Sequence, residues 1–286
     1  MRPKEYRIKE LLRKKGLDGA IVSSPENFHY VTGFGGHQHT VSRQPGFTLA
    51  VMRADDKVPT HLTTMDFEAA TFRIKATGLN FVVDPYDTWV GLKTWDEIAH
   101  GAVVPDKTAM ESSMDKLVQF MKACDLANKK VGVELDYLPV PYYKSLTEKF
   151  PEAEFVDISD LFVYARSVKQ PDEIEMFRNL CRIADHGFTE VSKIAKIGVS
   201  ERELAQCFRE DVIKSGFCAP SAWSMFSTGP SSARLTLPGD GVVKDGDVVK
   251  FDAGVNAEFD FYTTDTSRAW IIGNGDPALL KLKDRL

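Results

Sequence analysis

The sequence lacks the features of several specialised classes of protein. It has no run of about 18 apolar residues, the length that a membrane-spanning helix needs. It has no basic excess, since 36 lysines and arginines stand against 41 aspartates and glutamates, so the charge does not favour a nucleic-acid partner. The N-terminal residues are charged and carry no apolar stretch of the signal-peptide type. We therefore expect a cytoplasmic protein that binds neither membrane nor nucleic acid.

Cysteine is also scarce, and none of the cysteines has CxxC spacing. In a chain of 286 residues, this pattern predicts buried free thiols rather than disulfides or a zinc site. The cysteines are Cys124, Cys181, Cys207 and Cys218. Hydrophobic residues make up 43% and charged residues 27% of the chain, the balance of a globular protein with a buried core, and the length of 286 residues favours two ordinary domains over one large one.

The first half of the sequence alternates between helix and strand patterns. Apolar residues at helical spacing near the N-terminus precede a short apolar run at Gly19–Val22. Further strand patterns lie at 47–52, 81–83 and 131–135, and helix patterns at 65–75, 114–127 and around 142. Strands separated by helices of this length predict an α/β layer with parallel or mixed pairing.

The pattern changes near residue 163. Pro171 and the two acidic residues after it suit the first turn of a long helix. Ser200 and Glu203 have the spacing of a capping box for a second helix. Strand patterns follow at 222–226, 248–251 and 259–272. We predict two domains, residues 1–162 and 163–286, of which the second is α+β.

Two aspartates on neighbouring strands are the candidate metal ligands. Asp252 ends an apolar strand, and Asp265 lies in the next strand, where aspartate is disfavoured on propensity alone. Carboxylates that share a face of a hairpin repel each other unless they share a proton or a cation. A hard divalent cation such as Mn²⁺ suits such oxygen ligands. The spacing leaves an alternative open, in which Asp252 caps a turn and Asp265 pairs with Arg268.

Three segments of the sequence resemble motifs of one family. Residues 251–254 followed by 265–268 are similar to the aspartate hairpin of the M24 peptidases, which include aminopeptidase P, prolidase, methionine aminopeptidase and creatinase. Residues 166–174 look like the entry to the catalytic domain of that family, and residues 24–34 resemble a signature of its N-terminal domain. On these matches the chain is identified as a member of the creatinase/aminopeptidase P/prolidase family.

The resemblance implies an α/β creatinase-like N-terminal domain followed by a partial α+β pita-bread domain. It implies that Asp252 and Asp265 bind a pair of divalent metal ions (Mn²⁺, Co²⁺ or Zn²⁺). These ions would activate a water for attack on an amide carbonyl, usually of an Xaa-Pro bond. The expected substrate is a short peptide or another small molecule, and the expected assembly is a homodimer.

The sequence departs from the family pattern in several ways. Asp252 and Asp265 are thirteen residues apart, a longer spacing than is usual in the peptidases, and Asp260 between them is an alternative ligand. The stretch 232–238 has no histidine, whereas the peptidases carry one there that contacts the substrate. The remaining ligands of the family, one histidine and two glutamates, have no counterpart after Asp265. We therefore expect a chain cut within its catalytic domain, with an incomplete site and no activity of its own.

Two other functions stay open. The missing histidine favours a creatinase-like enzyme that acts on a small non-peptide substrate. A non-catalytic pita-bread protein used for binding is the other possibility, although the presence of both aspartates and Arg268 argues against it.

Other residues with chemical potential have plainer explanations. His37 and His39 have the spacing of a metal pair, but no third ligand lies near them in the sequence, so we expect a mobile loop. His186 is expected to be a packing or surface residue of the long helix. Trp223 and Phe226 are predicted on one strand, where core packing is the default and a role in a substrate wall is the alternative.

Overall fold

A computed structural model of the chain describes residues 2–88, 95–101, 108–216, 218–257 and 260–283. The chain divides into two compact units, Met1–Val168 and Lys169–Leu286. The first unit contains seven α-helices and six strands among its described residues, besides a π-helical turn (Gln38–Ser42) and a 3₁₀ turn (Asp66–Glu68): α1 (Pro3–Lys14), β1 (Gly19–Val22), α2 (Pro25–Thr32), β2 (Leu49–Arg53), β3 (Thr60–Thr63), α3 (Ala69–Ala76), β4 (Phe81–Val83), α4 (Trp95–Ala99), α5 (Ala109–Ala123), β5 (Lys130–Val133), α6 (Val140–Lys149), β6 (Glu154–Asp157) and α7 (Ser159–Ser167).

The first unit is built on one mixed sheet. The strand order is β4-β3-β2-β1-β5-β6, with β1 antiparallel to β2 and parallel to β5. β3 is antiparallel to β2, and the two outer pairs, β3–β4 and β5–β6, are parallel. This arrangement confirms the predicted α/β class. The proposed domain boundary after residue 162 falls inside α7.

Helices cover both faces of this sheet because its strands are apolar on both sides. Ala20 and Val22 of β1 pack on one face with α1, α2, α3 and α7, through side chains such as Phe28 and Phe72. Ile21 points to the other face and packs with α5 and α6. The alternation along β1 thus feeds two separate cores.

The second unit contains three α-helices and five strands among its described residues, besides a 3₁₀ helix (Gly229–Ala233): α8 (Pro171–Ile194), α9 (Glu201–Lys214), β7 (Cys218–Pro220), β8 (Met225–Thr228), β9 (Val248–Ala253), β10 (Val255–Ala257), β11 (Thr266–Ile271) and α10 (Pro277–Lys283). Pro171 lies in the first turn of α8, and the Ser200–Glu203 capping box starts α9, as predicted. No helix within the described ranges is long and apolar enough to cross a membrane.

Strands of the second unit form a three-stranded antiparallel sheet, β11-β9-β8, and a two-stranded sheet, β10-β7. The helices α8 and α9 pack on one face of the larger sheet, where Val249, Phe251 and Ala253 are buried. The alternate residues of β9, Lys250 and Asp252, lie on the opposite face and are half-buried. The predicted α+β class is confirmed.

The predicted strands at 222–226 and 259–272 are only partly right. Trp223 lies in a turn before β8 rather than on a strand, while Phe226 is fully buried in the core. The second of these strands is shorter than predicted and covers Thr266–Ile271. Phe259 lies outside the described residues.

The sequence predicted a loop at His39, but this residue lies in a π-helical turn, Gln38–Ser42. Its side chain is 1% exposed and meets the ring of Phe28 edge to face. Its Nε2 is 2.8 Å from the carbonyl oxygen of Ser23, so Nε2 carries the proton, since a carbonyl only accepts. A neutral imidazole with one satisfied N–H packs as a flat, mostly apolar ring, which explains the burial. His37 is exposed.

All four cysteines are free, in agreement with the prediction that they form no disulfides. Cys124 and Cys218 are buried, but Cys181 is exposed and Cys207 is half-buried. The prediction of burial therefore fails for these two: Cys181 lies on an exposed surface of α8, and Cys207 of α9 packs only at the edge of the core.

Candidate metal-binding site

Asp252 and Asp265 lie on the same face of the hairpin formed by β9 and β11. Asp252 is opposite Ser267, and the register continues beyond the ladder to the bridge between Asn256 and Thr263, which places Asp265 opposite Gly254. Residues directly opposite each other share a face, and alternate residues along a strand share it too. The two aspartates are therefore diagonal neighbours, a relation in which Cβ atoms are roughly 7 Å apart.

Gly254 lets the two strands approach each other between the aspartates. A Cβ atom at this position would lie 1.9 Å from the carbonyl oxygen of Thr264. Thr264 in turn donates its backbone N–H to Val255 and accepts the Val255 N–H on its hydroxyl. A glycine is required here because any side chain would push the strands apart. The position of Asp265 relative to Asp252 depends on this close contact.

Neither carboxylate of the pair is used by the fold. Asp252 is half-buried, whereas Asp265 is exposed and directly precedes β11 instead of lying inside it as predicted. Within the described ranges, no residue donates a hydrogen bond to either carboxylate and no cation pairs with it. All of their lone pairs are thus available to a ligand.

The alternative in which Asp265 pairs with Arg268 is wrong. Arg268 lies on the other face of the sheet, where its Nη2 is 3.0 Å from Oδ1 of Asp185 on α8. Its guanidinium also lies over the ring of Phe188, 5.9 Å from the ring centroid. Arg268 therefore attaches β11 to α8, and among the described residues no cation pairs with Asp265.

A segment that begins with a 3₁₀ helix, Gly229–Ala233, and runs on to residue 241 borders the same face at its β8 side. We call it the 229–241 segment. Lys250, two residues before Asp252 on β9, donates from Nζ to the carbonyl oxygen of Arg234, 3.1 Å away. The segment contains the stretch 232–238, which has no histidine and exposes Arg234.

Glu201 holds this segment and was missed by the sequence analysis. Its side chain is 2% exposed, and its carboxylate accepts the backbone N–H of Thr228 at 2.9 Å and of Gly239 at 2.7 Å, together with the hydroxyl of Ser231. The sequence offered no signal for this role, because an acidic residue in the first turn of a helix is already explained by the helix dipole.

The remaining candidates do not enlarge the site. Asp260 is half-buried and stays an alternative ligand. His186 is a surface residue whose Nδ1 lies 2.8 Å from Asp211. Across the residues that the structure describes, no group of three or more histidines, cysteines, aspartates or glutamates could hold a metal ion. The two aspartates fit the oxygen donors of a hard cation but supply only part of a coordination shell.

Comparison with known proteins connects both units to one family. The creatinase/prolidase N-terminal domain model matches residues 6–168, and the metallopeptidase family M24 model matches residues 175–286. The chain is 25% identical over 275 residues to the uncharacterized hydrolase/peptidase y4tL of Sinorhizobium fredii, covering 94% of this chain. It is 23% identical over 274 residues to the Xaa-Pro dipeptidase of Lactobacillus delbrueckii subsp. lactis, covering 95% of this chain.

The fold agrees with that of a solved relative. The Xaa-Pro dipeptidase from Bacillus anthracis superposes with a TM-score of 0.75 at 20% identity, over 98% of this chain and 68% of that one. The chain spans 64% of the length of the Sinorhizobium relative and 65% of the Lactobacillus relative. The predicted order, an α/β creatinase-like domain followed by a pita-bread domain, is confirmed. The chain belongs to metallopeptidase family M24 and carries a creatinase/prolidase N-terminal domain.

Proposed function

We propose that the protein is a metal-dependent peptidase that cleaves Xaa-Pro bonds, with Asp252 and Asp265 as two of its metal ligands. The main support for this proposal is the register of the hairpin, which makes the two carboxylates diagonal neighbours on one face. Neither carboxylate has a hydrogen-bond or ion-pair partner among the described residues. Membership of a metallopeptidase family supports it, and so does the similarity to relatives named Xaa-Pro dipeptidase.

The hairpin contributes rigidity and charge to this site. β9 is the central strand of its sheet and is packed from behind by α8 and α9, so the Asp252 backbone is fixed on both sides. Two carboxylates without partners suit Mn²⁺, Co²⁺ or Zn²⁺, and Mn²⁺ best matches an all-oxygen pair. Asp252 and Asp265 would hold divalent ions there, and such ions would supply an activated water and charge stabilisation for amide hydrolysis.

Metal binding by the full-length protein tests the ligand assignment. We expect Asp252→Asn and Asp265→Asn each to weaken Mn²⁺ binding at least about tenfold in isothermal titration calorimetry, since each removes a charged ligand. Asp240→Asn is the matched control, because Asp240 is an exposed aspartate of the same unit that pairs with Arg202. Unchanged Mn²⁺ affinity in both site variants would refute the assignment.

A substrate panel separates the peptidase from the two other functions. The proposal expects Mn²⁺-dependent cleavage of Xaa-Pro dipeptides and no turnover of small amidino acids. The relatives named above are called peptidases or dipeptidases, so they do not favour a creatinase-like chemistry. Turnover of amidino acids alone would support that chemistry, and metal binding without any turnover would support a binding protein.

A homodimer in the cytoplasm remains part of the proposal. The chain covers about two thirds of the relatives' lengths, so the assembly is a property to measure on the full-length protein. Sedimentation velocity of that protein should give twice the monomer mass, and a monomer would contradict this part of the proposal.

A further inference from the structure

We infer that Ser221 is a positioning residue, which holds the backbone of Gly254 and thereby sets the spacing of Asp252 and Asp265. The inference rests on the proposed function, because the two aspartates are the metal ligands assigned there. It adds a residue outside the hairpin on which the geometry of the aspartate pair depends.

The connection between β7 and β8 is longer than the stretch of chain that it faces. Met225 of β8 is opposite Asp252, and Pro220 of β7 is opposite Val255. Two residues lie between Asp252 and Val255, whereas four residues, 221–224, lie between their partners. We call these four residues the 221–224 bulge. Bulges interrupt regular pairing and are common beside functional sites, where they direct a side chain to a particular place.

Ser221 takes the place of a regular strand partner for Gly254. The Gly254 N–H donates to the Ser221 hydroxyl at 3.0 Å, and the Ser221 backbone N–H donates to the Gly254 carbonyl oxygen at 2.9 Å. The Ser221 hydroxyl lies 3.1 Å from the same carbonyl oxygen, to which it donates. Ser221 is 1% exposed, so solvent does not replace these bonds. One buried residue therefore satisfies both backbone groups of Gly254.

Ser224 makes the bulge rigid. Its backbone N–H donates to the Ser221 carbonyl oxygen at 3.2 Å, and its hydroxyl donates to the same oxygen at 2.7 Å. Ser224 is fully buried as well. Hydroxyl-to-backbone bonds of this kind close a short turn on itself. Ser221 is thus fixed from behind and can act as an anchor for the neighbouring strand.

The bulge reaches the face of the sheet that carries the aspartates. The odd-numbered residues from 249 to 257 all lie in the core of the second unit. Asp252 and Gly254 therefore face the opposite side. Trp223, at the tip of the bulge, covers Gly254, because a Cβ atom at that glycine would lie 2.9 Å from Cζ2 of the indole ring.

Gly254 is clamped between Ser221 on one side and Thr264 on the other. A Cβ atom at Gly254 would lie 1.9 Å from the Thr264 carbonyl oxygen, so the two strands are in close contact there. Asp265 follows Thr264 directly, and Asp252 is two residues before Gly254. The spacing of the two aspartates therefore depends on the place where Ser221 holds Gly254.

This clamp matters because the two carboxylates repel each other when no cation lies between them. A hairpin that is free to move would relax by separating Asp252 from Asp265, and metal binding would have to reverse that movement. A hairpin held at Gly254 is organised before the metal binds, and such preorganisation increases affinity. Residues that orient metal ligands typically change metal affinity about 10- to 100-fold when they are replaced.

The Mn²⁺ affinity of the full-length protein tests the positioning role. Ser221→Ala removes the hydroxyl and keeps the backbone bond to Gly254, and we expect the Kd for Mn²⁺ to rise about tenfold in isothermal titration calorimetry. Ser221→Thr keeps a hydroxyl and should recover most of the affinity. An unchanged Kd in Ser221→Ala would overturn the inference.

Ser227→Ala is the matched control. Ser227 is a fully buried serine of the neighbouring strand β8, and its hydroxyl has no partner among the described residues. The control removes the same atom at the same depth without touching Gly254, so the Kd for Mn²⁺ should stay unchanged. An equal rise of the Kd in both variants would mean that any lost buried hydroxyl has this effect, and the inference would fail.

Electron paramagnetic resonance separates positioning from stability. At saturating Mn²⁺, Ser221→Ala should change the spectrum that arises from the coupled pair of ions, because the coupling depends on their spacing. Ser227→Ala should leave the spectrum unchanged. A lower urea midpoint in Ser221→Ala with the original Kd and the original spectrum would show that Ser221 only stabilises the fold, which would contradict the inference.

Hydrogen exchange of the metal-free protein tests the contact itself. Ser221→Ala should speed the exchange of the Gly254 amide at least about tenfold, since this amide loses its acceptor, and Ser227→Ala should not. Unchanged exchange would overturn the inference. Failure of the unsubstituted protein to bind Mn²⁺ would instead overturn the proposed function, while the exchange result would still decide whether Ser221 holds Gly254.

Discussion

Glu134 of the first unit and the aspartate pair of the second unit have opposite hydrogen-bond environments. In the first unit, Glu134 is 1% exposed and accepts from the backbone N–H and hydroxyl groups of Ser23 and Ser24 and from the Asn27 amide. In the second unit, Asp252 and Asp265 accept from no residue within the described ranges. A buried carboxylate whose acceptors are all used stabilises the fold, whereas an open pair without partners costs repulsion that a cation removes.

The difference follows from how each sheet is covered. The first sheet has helices on both faces, so a polar group between its layers must be satisfied by the chain itself. The second sheet has α8 and α9 on one face, and on the other face Asp265, Ser267 and Ala269 are exposed. On this second face, where the described part of the chain places no helix, a polar group can remain unpaired and reach a ligand.

The largest expected effect is the loss of Glu134. Burial raises the pKa of this carboxyl, while the hydrogen bonds from Ser23, Ser24 and Asn27 oppose that rise. Glu134→Ala leaves these donors buried without an acceptor, and we expect the free energy of unfolding to fall by about 3–5 kcal/mol in urea titration. Glu148→Ala, an exposed glutamate of α6, should change it by less than about 0.5 kcal/mol. Equal effects would contradict a structural role for Glu134.

The next effect is a pH dependence in the first unit. Burial lowers the pKa of His39 to about 4, against about 6.5 in the unfolded chain. The folded state binds this proton less well than the unfolded chain does. The contribution of neutral His39 to the free energy of unfolding is therefore fully present above pH 6.5, and about 3 kcal/mol of it is lost as the pH falls towards 4. Urea midpoints between pH 7 and pH 4 should show this loss, and His39→Leu should flatten it. The exposed neighbour variant His37→Gln should keep the slope of the unsubstituted protein.

A smaller effect sharpens the comparison between the units. Because the fold does not use the Asp252 carboxylate, Asp252→Asn should change the free energy of unfolding by less than about 0.5 kcal/mol without metal, or slightly increase it. The measurement is urea unfolding in the presence of a chelator. A loss as large as that of Glu134→Ala would show that Asp252 is a structural residue like Glu134.

The smallest effect is a pH dependence of opposite sign in the second unit. The hydrogen bond to Asp211 raises the pKa of His186, with Glu190 3.7 Å from the other ring nitrogen. The contribution to stability is therefore present below the unfolded pKa of about 6.5 and is lost as the pH rises through the folded value. His186→Gln should lower the urea midpoint slightly at pH 5.5 and not at pH 9. In an Asp211→Asn background, the same substitution should have no pH-dependent effect.

Local patterns in the sequence predicted most of the fold. The capping box at Ser200, the proline at 171 and the apolar run at Gly19–Val22 depend on neighbours in sequence, and the structure has each of them. Strand alternation and hairpin order also predicted that Asp252 and Asp265 share a face. These signals are short-range, and they do not depend on how helices pack on the sheets.

The sequence patterns did not predict contacts between residues that are far apart in the chain. The pairing of Arg268 with Asp185 on α8 joins residues from elements far apart in the chain, and the sequence suggested a partner three residues away instead. The burial of His39 depends on Ser23 and Phe28. The role of Glu201 depends on a segment that starts more than twenty residues later. In each case the partner is chosen by packing, which periodicity does not encode.

The anchoring by Glu201 has a practical consequence for protein engineering. The hydrogen bonds by which Glu201 holds the 229–241 segment end on the backbone of Thr228, Gly239 and Gly241 and on the Ser231 hydroxyl. None of them uses a side chain from positions 233 to 238. These six positions form a cassette whose side chains can be replaced while the anchoring by Glu201 is kept, so the segment is suited to grafting sequences from another protein.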